Sequence, residues 1–206
     1  MEALFLSKKL QKEYNSVFST RKRLERISNH SSVYLANRDL DSFYEGIFLK
    51  SITLFESFIE ELFIGLLYDK YKFHTRKKVQ KLIFPSKKIA LNYLLNNKKY
   101  LDLLPYDRLK QNCTIFYNED NPFSVLTKPE INFLNDIYIL RNSIAHNSLT
   151  ANKRFIKYIN DKHPSLPMSM KTPAKFLQSL NNPTQTMFEI YIIELNVIAN
   201  KITSFT

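Results

Sequence analysis

Hydrophobic residues recur at helical spacing along most of the chain, which predicts amphipathic α-helices rather than strands. The stretch from Ala3 to Ile27 has apolar side chains every three or four residues with Lys and Arg between them, and it predicts a first helix. A second, more apolar helix is predicted to run to about Tyr71, opened by a capping box of Ser42 and Glu45. Its predicted buried stripe contains Ile47, Leu54, Phe55, Phe58, Leu62 and Leu66.

Capping signals predict the elements in the middle of the chain. A short helix is expected after Pro85 with Ser86 as its cap, followed by broken helix or loop as far as Tyr117. Thr127 and Glu130 form a second candidate capping box, and the helix that they open keeps its apolar spacing towards His146. This helix carries the polar cluster described below.

Prolines divide the carboxyl-terminal part. One or two helical turns are predicted within 153–160, before a loop at 163–170 that Pro164 and Pro167 keep out of helix. Thr172-Pro173 and Asn182-Pro183 each resemble a cap followed by proline at the first helical position, and the second pair is predicted to open the closing helix. Four principal helices result. We therefore predict an all-α, up-and-down helical bundle in a single domain, 1–206, with a basic helical insertion at about 70–117.

The amino-acid composition supports an all-α fold and excludes several kinds of functional site. Only two glycines are present, so neither hairpin-rich folds nor phosphate-binding glycine loops are expected. The single cysteine, Cys113, excludes disulfide frameworks and is expected to be a partly buried structural residue. The first ten residues lack the pattern of a secretory signal, and no apolar stretch reaches membrane-spanning length. A cytoplasmic protein without a membrane partner is expected.

Positive charge is concentrated in the middle of the chain. The net charge is +11, and Lys70–Lys110 holds twelve basic and two acidic residues. This favours a polyanionic partner such as RNA, with Arg76, Lys77 and Lys78 as candidate backbone contacts, although a merely solvated basic face is equally consistent. The aromatic residues nearby, Tyr71, Phe73 and Tyr93, are possible stacking rings for bases, but they recur at helical intervals, which is more typical of core residues.

One segment, 139–147, combines strongly polar residues with the carboxyl end of a helix whose earlier turns are apolar. Arg141 and His146 point about 140° apart on an ideal helix and lie about 7.5 Å apart along its axis. Asn142 stands one turn before His146, where its amide is expected to hydrogen-bond the imidazole. A bland alternative is that the two cations only cap the carboxyl terminus of the helix.

The sequence Arg141-Asn142-Ser143-Ile144-Ala145-His146 resembles the Arg-polar-x-x-x-His motif of the HEPN superfamily, the higher eukaryote and prokaryote nucleotide-binding domains. In nucleolytic members the motif lies late in a helical bundle. The resemblance extends to the second helix, where these families often carry an acidic residue near the site, so Glu56 is the first candidate and Glu60 the second. It covers about 41–147 plus the closing helix, and the basic insertion has no counterpart in it.

The resemblance implies a metal-independent endoribonuclease that acts as a homodimer without a cofactor, as a toxin or antiphage effector with an antitoxin or defence-system partner. His146 would be the general base that removes the proton of the RNA 2′-hydroxyl, which leaves a 2′,3′-cyclic phosphate. Arg141 would stabilise the charge that develops on the phosphoryl oxygens. One histidine leaves the general acid unassigned, and a dimer that brings two motifs across one cleft would supply a second imidazole.

Two alternatives keep different parts of this picture. A catalytically silent HEPN-type module, used for RNA or nucleotide binding or for dimerisation, keeps the fold and loses the chemistry. A plain helical interaction protein loses both, and its basic charge then reflects a drift towards AT-rich codons. A metal site is not expected, because His30, His74 and His163 have no Cys, Asp or Glu at ligand spacing that completes a set.

Overall fold

The protein is an all-α helical bundle, as the sequence pattern predicts. The computed structural model describes residues 1–28, 36–73, 78–96, 101, 103–146 and 148–206. Within these ranges the helices are α1 (Leu4–Ser28), α2 (Asn37–Leu67), α3 (Lys87–Leu95), α4 (Tyr106–Phe116), α5 (Lys128–Ala145), α6 (Leu149–Lys162), α7 (Pro173–Gln178) and α8 (Met187–Thr203). A short antiparallel hairpin joins β1 (Leu180–Asn182) to β2 (Gln185–Thr186). No helix in the described ranges combines the length and hydrophobicity that crossing a membrane requires.

The chain divides into two compact units, each made of separate stretches. The first unit contains 1–11, 54–135 and 196–206, and the second contains 12–53 and 136–195. Helices α1, α2, α5 and α8 each contribute residues to both units, whereas α3 and α4 belong to the first and α6 and α7 to the second. The four principal helices that the sequence predicts are therefore the elements that the two units have in common.

Aromatic side chains fill the core of the first unit. The ring of Phe63 on α2 meets Tyr117 edge-on, with centroids 5.0 Å apart, and the tilted ring of Phe123 at 5.7 Å. The Tyr117 hydroxyl donates a hydrogen bond to the Phe63 carbonyl over 2.5 Å, so this fully buried phenol has a partner. In the same unit, Lys201 of α8 donates to both carboxylate oxygens of Glu130 on α5, at 2.8 and 2.7 Å.

The second unit has an aromatic core with a buried cation at its edge. Phe176 of α7 packs against Phe155 of α6 and Tyr191 of α8, with ring centroids 6.2 and 6.0 Å apart. The guanidinium of Arg21 on α1 is only 6% exposed and is paired with Glu25 and Glu189. Buried charges of this kind persist in proteins when partners satisfy them.

Three of the predicted caps are confirmed. Ser86 accepts a hydrogen bond from the Ile89 amide at the start of α3, and Thr172 with Pro173 opens α7. The Glu130 carboxylate accepts hydrogen bonds from the Thr127 amide and hydroxyl, at 2.6 and 2.7 Å, which is one half of a capping box.

The prediction that Ser42 and Glu45 open the second helix is wrong. The helix α2 begins at Asn37, and the carboxylate of Asp39 accepts a hydrogen bond from the Ala36 amide over 3.2 Å. Ser42 therefore lies inside the helix. The predicted end at about Tyr71 is also too late, because Asp69 adopts a left-handed φ of 57° and α2 ends at Leu67 in a Schellman motif closed by the Lys70 amide and the Gly65 carbonyl.

The prediction that Asn182-Pro183 opens the last helix is wrong as well. These residues form the turn of the hairpin, where the Asn182 side-chain oxygen accepts from the Thr184 amide over 3.0 Å. The helix α8 starts four residues later, with Thr186 and Glu189 as a reciprocal capping box.

The region before Tyr117 is more regular than predicted. In place of broken helix or loop it contains α4, whose buried face is made of Tyr106, Leu109, Cys113 and Phe116. This three-four-three spacing follows one helix face. The turns predicted within 153–160 are likewise part of the longer helix α6, which Ser148 caps by accepting from the Ala151 amide.

Candidate active site

Arg141 is held near the carboxyl end of α5 by two neighbours on the same helix. Its Nη1 donates a hydrogen bond to the side-chain oxygen of Asn142 over 3.2 Å. Its Cζ lies 5.9 Å from the centroid of the Tyr138 ring, within the range of a cation–π contact. The half-buried guanidinium is thus oriented by an amide and an aromatic ring rather than free to rotate in solvent.

His146 occupies the corner between α5 and α6. The first of these helices ends at Ala145 and the second begins at Leu149, so three residues connect them. The His146 amide donates to the Asn142 carbonyl over 3.0 Å, and its own carbonyl accepts from the Ser148 amide over 2.7 Å. The backbone is fixed on both sides, while the side chain is exposed. An imidazole presented in this way is accessible to a large substrate.

Asn142 connects the two motif residues through different atoms. The sequence suggests that its amide pairs with the imidazole of His146. In the structure its side-chain oxygen accepts from Arg141, and its backbone carbonyl accepts from the amide of His146. Asn142 thus orients the guanidinium directly and fixes the imidazole only through the main chain.

The remaining candidates that the structure describes belong to the first unit. Glu56 is half-buried on α2 in the first unit, whereas Arg141 and His146 belong to the second. The alternative acid, Glu60, is also half-buried, and burial raises the pKa of its carboxyl group despite the nearby Lys87. Of the basic candidates, Lys78 has an exposed side chain in the first unit, and Arg76 and Lys77 lie outside the described residues.

Two features next to the motif were not predicted from the sequence. The first is Tyr138, whose position one turn before Arg141 is a signal for a contact on the same helix face. The second feature is a basic surface on α6, which follows directly after the His146 corner. Its exposed cations include Lys153, Arg154 and Lys157, and Asp161 is the one acidic residue of the helix.

A second polar group in the same unit surrounds His163. The hydroxyl of Tyr158 lies 3.4 Å from the imidazole Nε2 and is also hydrogen-bonded to the hydroxyl of Tyr191. Burial, and to a lesser degree the charge of Lys162, lowers the pKa of His163. Burial also raises the pKa of Tyr158 to about 12, so the group is neutral at physiological pH. It stabilises the junction of α6, α7 and α8.

Metal-ligating residues are not grouped in the part of the chain that the structure describes: no three His, Cys, Asp or Glu side chains lie together as a metal site requires. The resemblance to the HEPN superfamily rests on Arg141, Asn142 and His146 at one end of α5 and on the helical pattern around them. No protein-family model, no curated protein and no solved structure matches the chain.

Proposed function

We propose that this protein is a metal-independent endoribonuclease of the HEPN type that acts as a toxin or antiphage effector. The observation that carries the proposal is that an oriented guanidinium and an exposed imidazole lie at the same end of one helix. The Arg141 side chain is fixed by Asn142 and Tyr138, and the His146 backbone is anchored on both sides. These residue types supply what cleavage of an RNA phosphodiester requires.

His146 acts as the general base in this proposal. RNA carries its own nucleophile, so the imidazole needs only to remove the proton of the 2′-hydroxyl. The resulting oxyanion attacks the adjacent phosphorus, the bond to the 5′-oxygen breaks, and a 2′,3′-cyclic phosphate remains. The exposed corner between α5 and α6 leaves room for a polynucleotide to approach.

Arg141 stabilises the transition state. Negative charge concentrates on the non-bridging oxygens as the 2′-oxygen attacks, and a guanidinium offers paired, charge-assisted hydrogen bonds to them. Because Asn142 and Tyr138 restrict the side chain, less reorganisation is needed when this charge develops. A single subunit offers no second motif histidine for the departing 5′-oxygen, so the proposal includes a homodimer in which two motifs face one cleft.

The surface of α6 supports RNA as the substrate. Lys153, Arg154 and Lys157 are exposed on the helix that begins just after His146. Lysine and arginine side chains in a row track a phosphate backbone and make its binding dependent on salt. A strand that enters at His146 would have these cations along its path.

Cleavage of total cellular RNA in EDTA by the purified protein tests the proposal. Wild type is compared with His146→Gln and Arg141→Lys, which keep the size and the charge of the side chains respectively, and the product ends are mapped. We expect cyclic phosphate ends in wild type and a loss of at least about a hundredfold in both variants. Arg23→Ala, which removes an exposed arginine of α1, is the matched control and should cleave normally.

The outcomes separate the alternatives. Salt-sensitive RNA binding without cleavage, unchanged in His146→Gln, would favour the catalytically silent module. Loss of folding in both motif variants would favour a structural cap. Light scattering adds an independent check, because a strict monomer at the assay concentration would contradict the shared cleft.

A further inference from the structure

The outward face of α3 is a mixed basic and aromatic surface in the first unit. It is made of five exposed residues on one arc of the helix, Lys88, Ile89, Asn92, Tyr93 and Asn96, and Ala90 on the opposite side is buried. On an ideal helix the five exposed positions span about 140° of the circumference. We call these five residues the α3 face.

Tyr93 differs from Tyr71 and Phe73 in its exposure. Its side chain is 60% exposed, whereas Tyr71 is 3% exposed, and the ring of Phe73 packs against Phe205. The Tyr93 ring contacts Phe84 at 5.4 Å and the edge of Phe116 at 6.0 Å between centroids. Two rings thus support it from the protein side, which restricts its rotation and leaves the remainder of its surface open.

The charges around the α3 face favour a polyanion. Lys88 is exposed and has no ion-pair partner among the described residues, whereas its neighbour Lys87 lies 3.3 Å from Glu61. The whole segment from Lys70 to Lys110 carries twelve basic and two acidic residues. A polyanionic chain that also has flat apolar surfaces would match both the Lys88 side chain and the Tyr93 ring.

We propose that the α3 face binds single-stranded RNA, with a base stacked on Tyr93 and a neighbouring phosphate paired with Lys88. Base–aromatic stacking beside a cation is the usual way in which proteins hold single strands without reading their sequence. Asn92 lies one turn after Lys88 and has both a donor and an acceptor for a base edge or a 2′-hydroxyl. This inference rests on the proposed function, because it supplies a binding surface for the same substrate.

Binding of a fluorescent, unstructured RNA of about 12 nucleotides tests the inference, measured by anisotropy in a His146→Gln background so that cleavage does not interfere. Tyr93 is replaced by Phe, Leu or Ala. We expect Phe to bind like the parent, since it keeps the aromatic face. Leu and Ala should both bind at least about fivefold more weakly, because an aliphatic side chain cannot stack.

Two controls sharpen the result. Phe5→Ala removes another exposed aromatic side chain of the first unit, one without an aromatic neighbour among the described residues, and should leave the affinity unchanged. Lys88→Gln should reduce the dependence of log affinity on log salt by about one unit.

Several outcomes would overturn the inference. Full affinity in Tyr93→Leu would show that only apolar bulk matters, as at a protein-docking surface. Equal losses in Phe5→Ala and Tyr93→Ala would remove the assignment to α3. If the protein with His146 intact cleaves RNA, and neither Tyr93→Leu nor Tyr93→Ala changes binding, this surface is rejected and the proposed nuclease is left intact. Tyr93-dependent binding by a protein that never cleaves RNA would reject the nuclease and keep the surface.

Discussion

The guanidinium of Arg141 donates a hydrogen bond to the side-chain oxygen of the adjacent Asn142 over 3.2 Å. Neighbouring residues on a helix point about 100° apart, so this contact requires the long arginine to bend around the helix. Such a bend places the cation beside the helix surface and not straight out into water. The polar residue after the arginine therefore has a physical role in the motif, which is to select one orientation of the guanidinium.

Removal of this contact should lower activity without unfolding the protein. In Asn142→Ala the guanidinium loses the Asn142 acceptor, so we expect kcat for RNA cleavage to fall about tenfold while KM changes little. The free energy of unfolding should change by less than about 1 kcal/mol, because the side chain is only half-buried. Steady-state kinetics measure kcat and KM, and urea denaturation measures the free energy of unfolding. Asn152→Ala, at an exposed position of α6, is the control, and an equal loss of kcat in it would contradict the assigned role.

The two glycines of α2 should respond oppositely to alanine. A Cβ at Gly65 would overlap the ring of Tyr71, whose hydroxyl is tied to the Glu61 carboxylate over 2.8 Å, whereas a Cβ at Gly46 meets nothing within 4 Å. Overpacking of a fixed ring predicts a loss of about 1–3 kcal/mol for Gly65→Ala. Gly46→Ala should gain about 0.5–1 kcal/mol, because alanine is the better helix former. Urea denaturation of both variants checks the difference in sign.

The helical bundle follows from the sequence because long apolar stripes dominate it. Apart from α4, where the sequence predicts broken helix or loop, the errors lie at element ends. At the last helix two capping signals compete, Asn182-Pro183 and Thr186 with Glu189. The second signal starts the helix, because the Glu189 carboxylate accepts a hydrogen bond from the Thr186 amide. The Asn182 side chain instead stabilises the turn of the hairpin. Propensity alone does not rank two such signals four residues apart.

The motif residues of the candidate site could be predicted from the sequence, but their contacts and exposure could not. The pattern of Arg141 and His146 is visible in the sequence, and so is the helix that carries them. The contacts of Asn142 depend on which rotamers the folded helix allows, and periodicity contains no information on that. Exposure is equally hidden: Tyr71 and Tyr93 have the same helical spacing, yet only Tyr93 reaches the surface. The two tyrosines can be told apart only in the folded structure, where Phe84 and Phe116 contact the ring of Tyr93 and the rest of that ring stays exposed.

The buried cation Arg21 should be a strong determinant of stability in the second unit. It pairs with Glu25 over 3.0 Å and with Glu189, and its Nε has no hydrogen-bond partner among the described residues. In Arg21→Met the largely buried Glu189 loses its cation, so we expect a loss of about 3–5 kcal/mol. Removal of both charges in Arg21→Met/Glu189→Met should recover part of it, because the more buried of the two carboxylates that Arg21 pairs with is then also removed, and only the more exposed Glu25 is left without its cation.

A double-mutant cycle by urea denaturation measures this coupling. The cycle also requires Glu189→Met alone, which breaks the capping box of α8 as well as the ion pair. A coupling energy near zero, which corrects for the broken capping box, would show that the guanidinium contributes through packing and not through charge pairing.

His163 should make the protein less stable in mild acid. Burial and the nearby Lys162 lower its pKa in the folded state below the ordinary value of 6.5, so the unfolded chain binds the proton more readily. The stability that comes from keeping this imidazole neutral is present at and above neutral pH and is lost as the pH falls from about 6.5 through the folded pKa. Urea denaturation between about pH 7 and pH 5 should show a steeper fall in the free energy of unfolding for wild type than for His163→Gln.

Tyr158→Phe is the control for this prediction. It removes a hydrogen-bonded hydroxyl, so it should lower stability at every pH. Because it keeps the imidazole and its packing against Phe176, the dependence of stability on pH should stay the same. Equal slopes in wild type and His163→Gln would mean that other groups account for the sensitivity to acid.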